Sequence, residues 1–181
     1  NSADHILSLL TNLLNFSKLD QGKECLITSE FNISELCDEL GEMFAPLAKN
    51  KQLTFVYQKN IDENLFVKSD ALKIKQILSN ILSNAIKYTI NGKVHFIVSK
   101  DENSMTFNIT DEGIGIPQDK LEDIFKPFSR IDNNESLIEG SGFGLFVVKG
   151  LVELLNGKIN VNSEAGKGSS FTIKIPVEFI E

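Results

Sequence analysis

The chain has 181 residues, 41% of them hydrophobic and 24% charged, the balance of a soluble globular fold able to bury a real core. Its net charge of −7 is offset by no local Lys/Arg cluster, so most of its surface repels a phosphate backbone and nucleic acid is not an expected partner. Cys25 and Cys37 have no CxxC pairing, so neither a zinc site nor a disulfide framework is indicated, and a reducing compartment suits them. No apolar run approaches the roughly 18 residues of a membrane span, which leaves any membrane attachment to segments upstream of Asn1.

In chain order, residues 1–22 carry Ile6, Leu9, Leu10, Leu13, Leu14, Phe16 and Leu19 at helical spacing. That stripe is too broad for a lone helix to bury, so it needs a partner helix, and Gly22 supplies the stop. Residues 24–32 read as a strand leading into a helix over 33–50. There Asn32 and Glu35 have capping-box spacing, and Ile33, Leu36, Cys37, Leu40, Phe44 and Leu47 share a face. Short β-like runs at 53–58 and 65–69 precede a long helix from about Asp70 to Lys87. Residues 93–100 and 104–110 predict a hairpin turned by Asp101 to Asn103. A short helix follows Pro117, then a polar stretch to Gly142, a helix over 143–156, and strands at 157–164 and 169–179. The order predicts an α+β fold: one mixed or antiparallel sheet with helices on a face, formed by residues 23–181 and preceded by the helical appendage 1–22.

On the long helix, Ile74, Ile77, Leu78, Ile81, Leu82 and Ala85 fall on one side, while Lys73, Gln76, Asn80, Asn84 and Lys87 line up opposite. Such a stripe is ordinarily a solvated face. Asparagine, however, competes for the helix's own backbone partners, and a free surface favours Glu, Lys or Ala. Amide oxygens beside a lysine suit a Mg²⁺–phosphate group, because the ion takes one or two protein oxygens plus phosphate and water. In "DEGIGIP", Gly113 and Gly115 permit positive φ and close approach, Pro117 suits the next helical turn, and Asp111 stands at a strand end. By itself this motif also fits an ordinary turn.

A second cluster, Gly140, Gly142 and Gly144, stands directly before a helix, where free N–H groups and the positive helix end attract phosphate. Its spacing is neither that of a Walker A loop nor that of a Rossmann turn. A third group, "EAGKGSSF", reads as a hairpin turn.

In order and spacing, 80–89, 111–117, 125–130 and 140–145 resemble the boxes of the ATP-binding catalytic domain of sensor histidine kinases, over a span from about Phe31 to Pro176. The family shares an ATPase group with gyrase, MutL and heat-shock chaperones. The resemblance implies a two-layer α/β sandwich in which ATP lies between sheet-side loops and a mobile lid. It implies that Asp111 accepts a hydrogen bond from the adenine amino group and that Gly113 and Gly115 make room for the base. Tyr88 would pack on adenine, Asn84 would bind Mg²⁺ with Asn80 supporting it, and Lys87 would meet a phosphate. Phe125 and Phe128 would flank a lid over 131–139, Arg130 would reach the γ-phosphate, and Gly140, Gly142 and Gly144 would wrap the triphosphate. Ile116, Phe143 and Leu145, which lie within or beside these boxes, join the nucleotide-binding set.

Hydrolysing relatives carry a Glu one turn before the metal-binding Asn. Asn80 cannot act as a general base, so the resemblance implies transfer over hydrolysis. Residues 9–23 resemble the end of the second helix of the dimerisation and phosphotransfer hairpin. His5 lacks the acid and the Arg-Thr-Pro tail of a phosphoacceptor, and His95 reads as a strand residue, so the substrate histidine is expected upstream. Phe143 and Phe146, with "LLNGK" in place of a His-Gly-Gly, depart from the usual pattern and predict a bulkier pocket floor. The expected activity is a Mg·ATP-dependent histidine kinase domain, the cytoplasmic part of a bacterial sensor. It would form a homodimer through the hairpin and serve a response regulator receiver domain. An ATPase or ATP-gated clamp and a nucleotide-free signalling scaffold are the alternatives.

Overall fold

The computed structural model describes residues 25–127, 129 and 142–180. After β1 (Ser29–Asn32), the chain enters α1 (Ile33–Asn50). Asn32 caps that helix, its Oδ1 accepting from the N–H groups of Ser34 at 3.0 Å and Glu35 at 3.3 Å. The core face of α1 is the expected one with one exception: Leu47 is 47% exposed, and Ala48 is buried in its place. β2 (Thr54–Asn60) and β3 (Phe66–Ser69) lead to α2 (Ala71–Tyr88), which is capped by Asp70 accepting from Lys73 N at 3.1 Å. β4 (Lys93–Lys100) and β5 (Ser104–Asp111) form the expected hairpin. Asp101 sets its turn, accepting from Ser104 Oγ at 2.8 Å and Asn103 N at 3.2 Å.

The short helix expected after Pro117 is instead two 3₁₀ turns, Gln118–Lys120 and Asp123–Phe125. Pro127 disfavours a helical Lys126, which is extended at φ −79°, ψ 147°, so no longer helix can run through the segment. α3 (Gly144–Leu154), β6 (Lys158–Glu164), β7 (Gly168–Pro176) and β8 (Glu178–Ile180) complete the described elements.

The strands form two sheets where the order of elements predicts one. The larger has the order β2-β4-β5-β7-β6, with β2 parallel to β4 and the other neighbours antiparallel. The smaller is β1-β3-β8. Pro176 ends β7, because proline cannot donate to a ladder, and the chain beyond Val177 leaves to pair with β3. The three α-helices among the described residues cover one face of the large sheet, α1 against β2 and β4, α2 against β4 and β5, and α3 against β6. The opposite face of β5 and β7 is tied by amide and hydroxyl pairs, such as Asn108 Nδ2 donating to Thr172 Oγ1 at 2.9 Å.

Alternation along the strands sends every second residue to the helices. Register then stacks these residues in rows across three strands: Phe107 with Ile173 and Ile159, then Ile109 with Phe171 and Val161. The next row is Asp111 with Ser169 and Ser163, all three buried. The apolar floor therefore ends in a polar row at the edge that meets the glycine loop.

Candidate functional site

Asp111 occupies a position where the pattern of Met105, Phe107 and Ile109 calls for an apolar side chain, and it is 6% exposed. Two main-chain donors hold its carboxylate, Gly113 N–H at 2.9 Å and the N–H of Ser169. Burial outweighs them and pushes its pKa up to about 6. The two glycines after Asp111 serve different ends. Gly113 does not have positive φ; a Cβ there would lie 2.6 Å from Tyr88 O and 2.7 Å from Asp111 Oδ1, so only glycine lets the loop close onto the helix end. Gly115 has φ 66°, and a Cβ there would collide with the Glu164 carbonyl.

The polar stripe of α2 is not a solvated face: Lys73, Gln76, Asn80, Asn84 and Lys87 are half-buried, while Leu72 and Ser83 are exposed. Asn80 Nδ2 donates to Gln76 O at 2.9 Å, which turns Oδ1 toward the start of α3, 3.1 Å from where a Cβ on Gly144 would lie. One turn on, the Asn84 side chain makes no hydrogen bond among the described residues and keeps both amide atoms available. A further turn brings Tyr88, with Lys87 Nζ 4.9 Å from its ring centre. Positions 80, 84 and 88 share one face, so the stripe runs about 12 Å along the helix, from the start of α3 to the Asp111 loop.

At the far end, Gly142 has φ 72° and Phe143 is buried at 4% exposure. No side chain caps the first turn of α3, where main-chain N–H groups and the positive end of the helix lie. Leu145 is half-buried against the core, Ile116 is buried, and Phe125 packs beside α3 with Lys149 Nζ 5.9 Å from its ring centre. Phe146 is half-buried against the core. His95 lies within β4, as expected. Phe128, Arg130, Gly140, the segment 131–139, and residues 1–22 with His5 lie outside the described residues.

Three supports were not legible from the motifs. Lys51 Nζ reaches across to the end of α2 and donates to Ile86 O at 2.9 Å, Lys87 O at 3.0 Å and Thr89 O at 3.4 Å. Ser163 Oγ accepts from Ile116 N at 2.8 Å and sits 3.0 Å from Ser169 Oγ. Gln118 Nε2 donates to Ser163 O at 2.6 Å, and Gly166 N to Ile114 O at 2.7 Å. "EAGKGSSF" is thus a hairpin turn, as read, and it also docks on the Asp111 loop. The available signal was a serine ending the alternation Ile159, Val161, Ser163, just as an acid ends that of β5.

No cluster of three or more His, Cys, Asp or Glu side chains among the described residues could cage a metal. A divalent ion here would need oxygens from a ligand besides an amide oxygen, which is the coordination Mg²⁺ accepts.

Residues 69–178 match the family model described as histidine kinase-, DNA gyrase B-, and HSP90-like ATPase. The chain is 37% identical to the autoinducer 2 sensor kinase/phosphatase LuxQ of Vibrio cholerae, over 99% of this chain and 22% of that protein. It is 31% identical to the sensor histidine kinase RcsC of Escherichia coli, over 98% of this chain and 19% of that one. The chain therefore spans about a fifth of the length of these relatives. Full-length ShkA in complex with AMPPNP superposes with a TM-score of 0.87 at 27% identity, over 99% of this chain and 37% of ShkA. The nucleotide-free catalytic domain of the histidine kinase ThkA gives a TM-score of 0.70 at 28% identity, over 83% of this chain and 95% of that domain. The matched span takes in α2, the Asp111 loop and α3, and on these grounds the chain belongs to the histidine kinase-, DNA gyrase B- and HSP90-like ATPase family, as the ATPase domain of the sensor histidine kinase type.

Proposed function

We propose that this chain binds Mg·ATP and holds its γ-phosphate for transfer to a histidine on another helix of the parent protein. The observation that carries the reading is the half-buried stripe Asn80, Asn84 and Tyr88, which joins the uncapped start of α3 to the buried acid Asp111. In this reading Asp111 accepts from the adenine amino group, Gly113, Gly115 and Ile116 border the base, and Tyr88 packs on it. Lys87 meets a phosphate, and the main chain from Gly142 to Leu145, with Gly140 before it, wraps the phosphate tail. Asn84 offers its uncommitted amide oxygen to Mg²⁺ and Asn80 supports it; the ion, when bound, neutralises phosphate charge. Phe128 and Arg130 belong to the same reading by their place in the sequence, Arg130 at the γ-phosphate.

Transfer is favoured over hydrolysis because Asn80 stands where a water-activating carboxylate would be required, and an amide takes no proton from water. The likeness to sensor kinases supports a parent protein that dimerises through a helical hairpin ending in residues 1–22, with the catalytic domain over 23–181. It supports as well a cytoplasmic domain and a response regulator receiver domain as the final phosphoryl acceptor. No helix among the described residues is long and apolar enough to cross a membrane.

Calorimetry tests the metal and nucleotide assignments together. Asn84→Ala is expected to weaken ADP binding about tenfold or more with Mg²⁺ present and hardly at all in EDTA, as loss of one ligand to a charged centre requires. Equal losses in both buffers would remove Asn84 from the metal, and no ADP binding by the unaltered chain would favour a nucleotide-free scaffold.

A further inference from the structure

Beside the Asp111 loop lies a hollow of about 340 Å³, lined by Ile90, Asn91, Glu112, Gly113, Ile114 and Gly166. Its acid is not the one assigned to the nucleotide. Alternation sends Asp111 to the helix side and Glu112, whose N–H continues the ladder by donating to Lys93 O at 3.1 Å, to the other.

Glu112 is held by one oxygen only. Its Oε2 accepts from Lys93 N at 2.9 Å, and a Cβ on Gly92 would lie 2.5 Å from that oxygen, so glycine there lets the carboxylate fold back onto the strand. Oε1 makes no hydrogen bond among the described residues, and neither does the Asn91 side chain. Lys93, opposite Glu112 on the next strand, forms no ion pair with it. The rest of the lining is apolar or bare. Ile90 is 66% exposed, Ile114 is half-buried, and a Cβ on Gly166 would meet nothing within 4 Å. Two branched hydrocarbons beside two uncommitted acceptor oxygens suit a cation carried on an apolar stem. Arginine matches this better than lysine, because its planar fork donates to two oxygens at once and can lie flat over glycine backbone.

We propose that this hollow is a docking point for an arginine side chain of a partner protein. The guanidinium sits on Glu112 Oε1 and the Asn91 amide oxygen, and the methylene stem lies against Ile90 and Ile114. The exposed rim of Ile90, Asn91, Glu112 and Gly166 favours a tethered side chain over a free small molecule, which needs most of its surface enclosed to bind. A second copy of this chain is not the source, since its one arginine, Arg130, is placed by the proposed function at the γ-phosphate.

The experiment follows amide chemical shifts of the 181-residue chain as N-acetyl-arginine methylamide is added. Shifts are expected at residues 90–91, 112–114 and 166, with a Kd on the order of millimolar, since one exposed side chain binds weakly. The neutral isostere N-acetyl-citrulline methylamide should bind several-fold more weakly. Glu112→Gln, which can still accept from Lys93 N, should weaken arginine binding about fivefold, the scale of an exposed ion pair. Asn91→Asp should tighten it by about as much, a gain that damage to the fold cannot produce. Equal binding of the citrulline compound, shifts confined to other residues, or a Glu112→Gln variant that binds as well as the unaltered chain overturns the proposal. The titration is then repeated with saturating Mg·ADP. Arginine shifts that persist separate the hollow from the proposed nucleotide site, whereas shifts abolished by ADP would put the probe at Asp111 and overturn the proposal. Should ADP not bind at all, the Glu112 and Asn91 variants still decide, so the proposed function and this inference fail separately.

Discussion

Asp111 is a carboxylate in a position that strand alternation reserves for a hydrocarbon, and its raised pKa of about 6 follows from that burial. The shift acts in opposite directions on two measurable quantities. A folded pKa above the ordinary value of 3.8 means that the folded chain binds the proton more tightly than the unfolded one. Its stabilising contribution is complete below about pH 4 and is lost as pH rises through about 6. With Asp111 on the adenine amino group, as proposed, nucleotide binding has the reverse sign, because protonation converts one acceptor oxygen into a donor facing that group. ADP affinity is therefore expected to rise between pH 5 and about 7 and then level off, with Asp111→Asn flattening the rise. A calorimetric pH series on the two proteins checks this, and an equal rise in both would assign the titration elsewhere. Asp111 was legible in the sequence because an acid followed by two glycines breaks an apolar alternation. Ser163 was not, because a serine near a hairpin turn is ordinary until register places it beside Ser169 and Ile116.

The bounds of α1, α2 and α3 were legible to within a residue or two, since Asn32 and Asp70 are strong caps and the apolar faces repeat cleanly. The two-sheet arrangement was not, because it depends on where Pro176 releases the chain and on the pairing of short strands distant in sequence. The support of the α2 C-terminus was also hidden, as nothing marks Lys51 locally. Its ammonium meets carbonyls that a helix end leaves without partners, while Ile114 N takes Tyr88 O at 3.2 Å and Thr89 Oγ1 takes Ala85 O at 2.7 Å. Lys51 thereby fixes the turn that carries Lys87 and Tyr88. Lys51→Met is expected to lower stability by about 1 kcal/mol, less than the roughly 1.5–3 kcal/mol of a charged donor because Lys51 is exposed. It should also weaken ADP binding a few-fold, and Lys51→Arg should recover part of both. Urea unfolding and calorimetry on the three proteins provide the check. A stability loss with no change in affinity would confine Lys51 to the fold.

At the scale of the whole molecule, a chain of net charge −7 has to admit an anionic ligand. In the proposed reading the attraction is local, supplied by the start of α3 and the half-buried Lys87 ammonium, and it acts at contact distance. The repulsion is distributed over the surface and acts at long range. Salt separates the two, because a Debye length of about 10 Å at 0.1 M screens distant exposed charges far more than a pair in contact. Nucleotide association is therefore expected to quicken as salt rises from about 0.01 to 0.1 M, the opposite of a steered encounter, while dissociation changes little. Stopped-flow binding of a fluorescent ADP analogue measures both rates. Association that slows with salt would show a positive field at the groove strong enough to override the net charge, with the basic residues of the segment 126–130 as its first candidates.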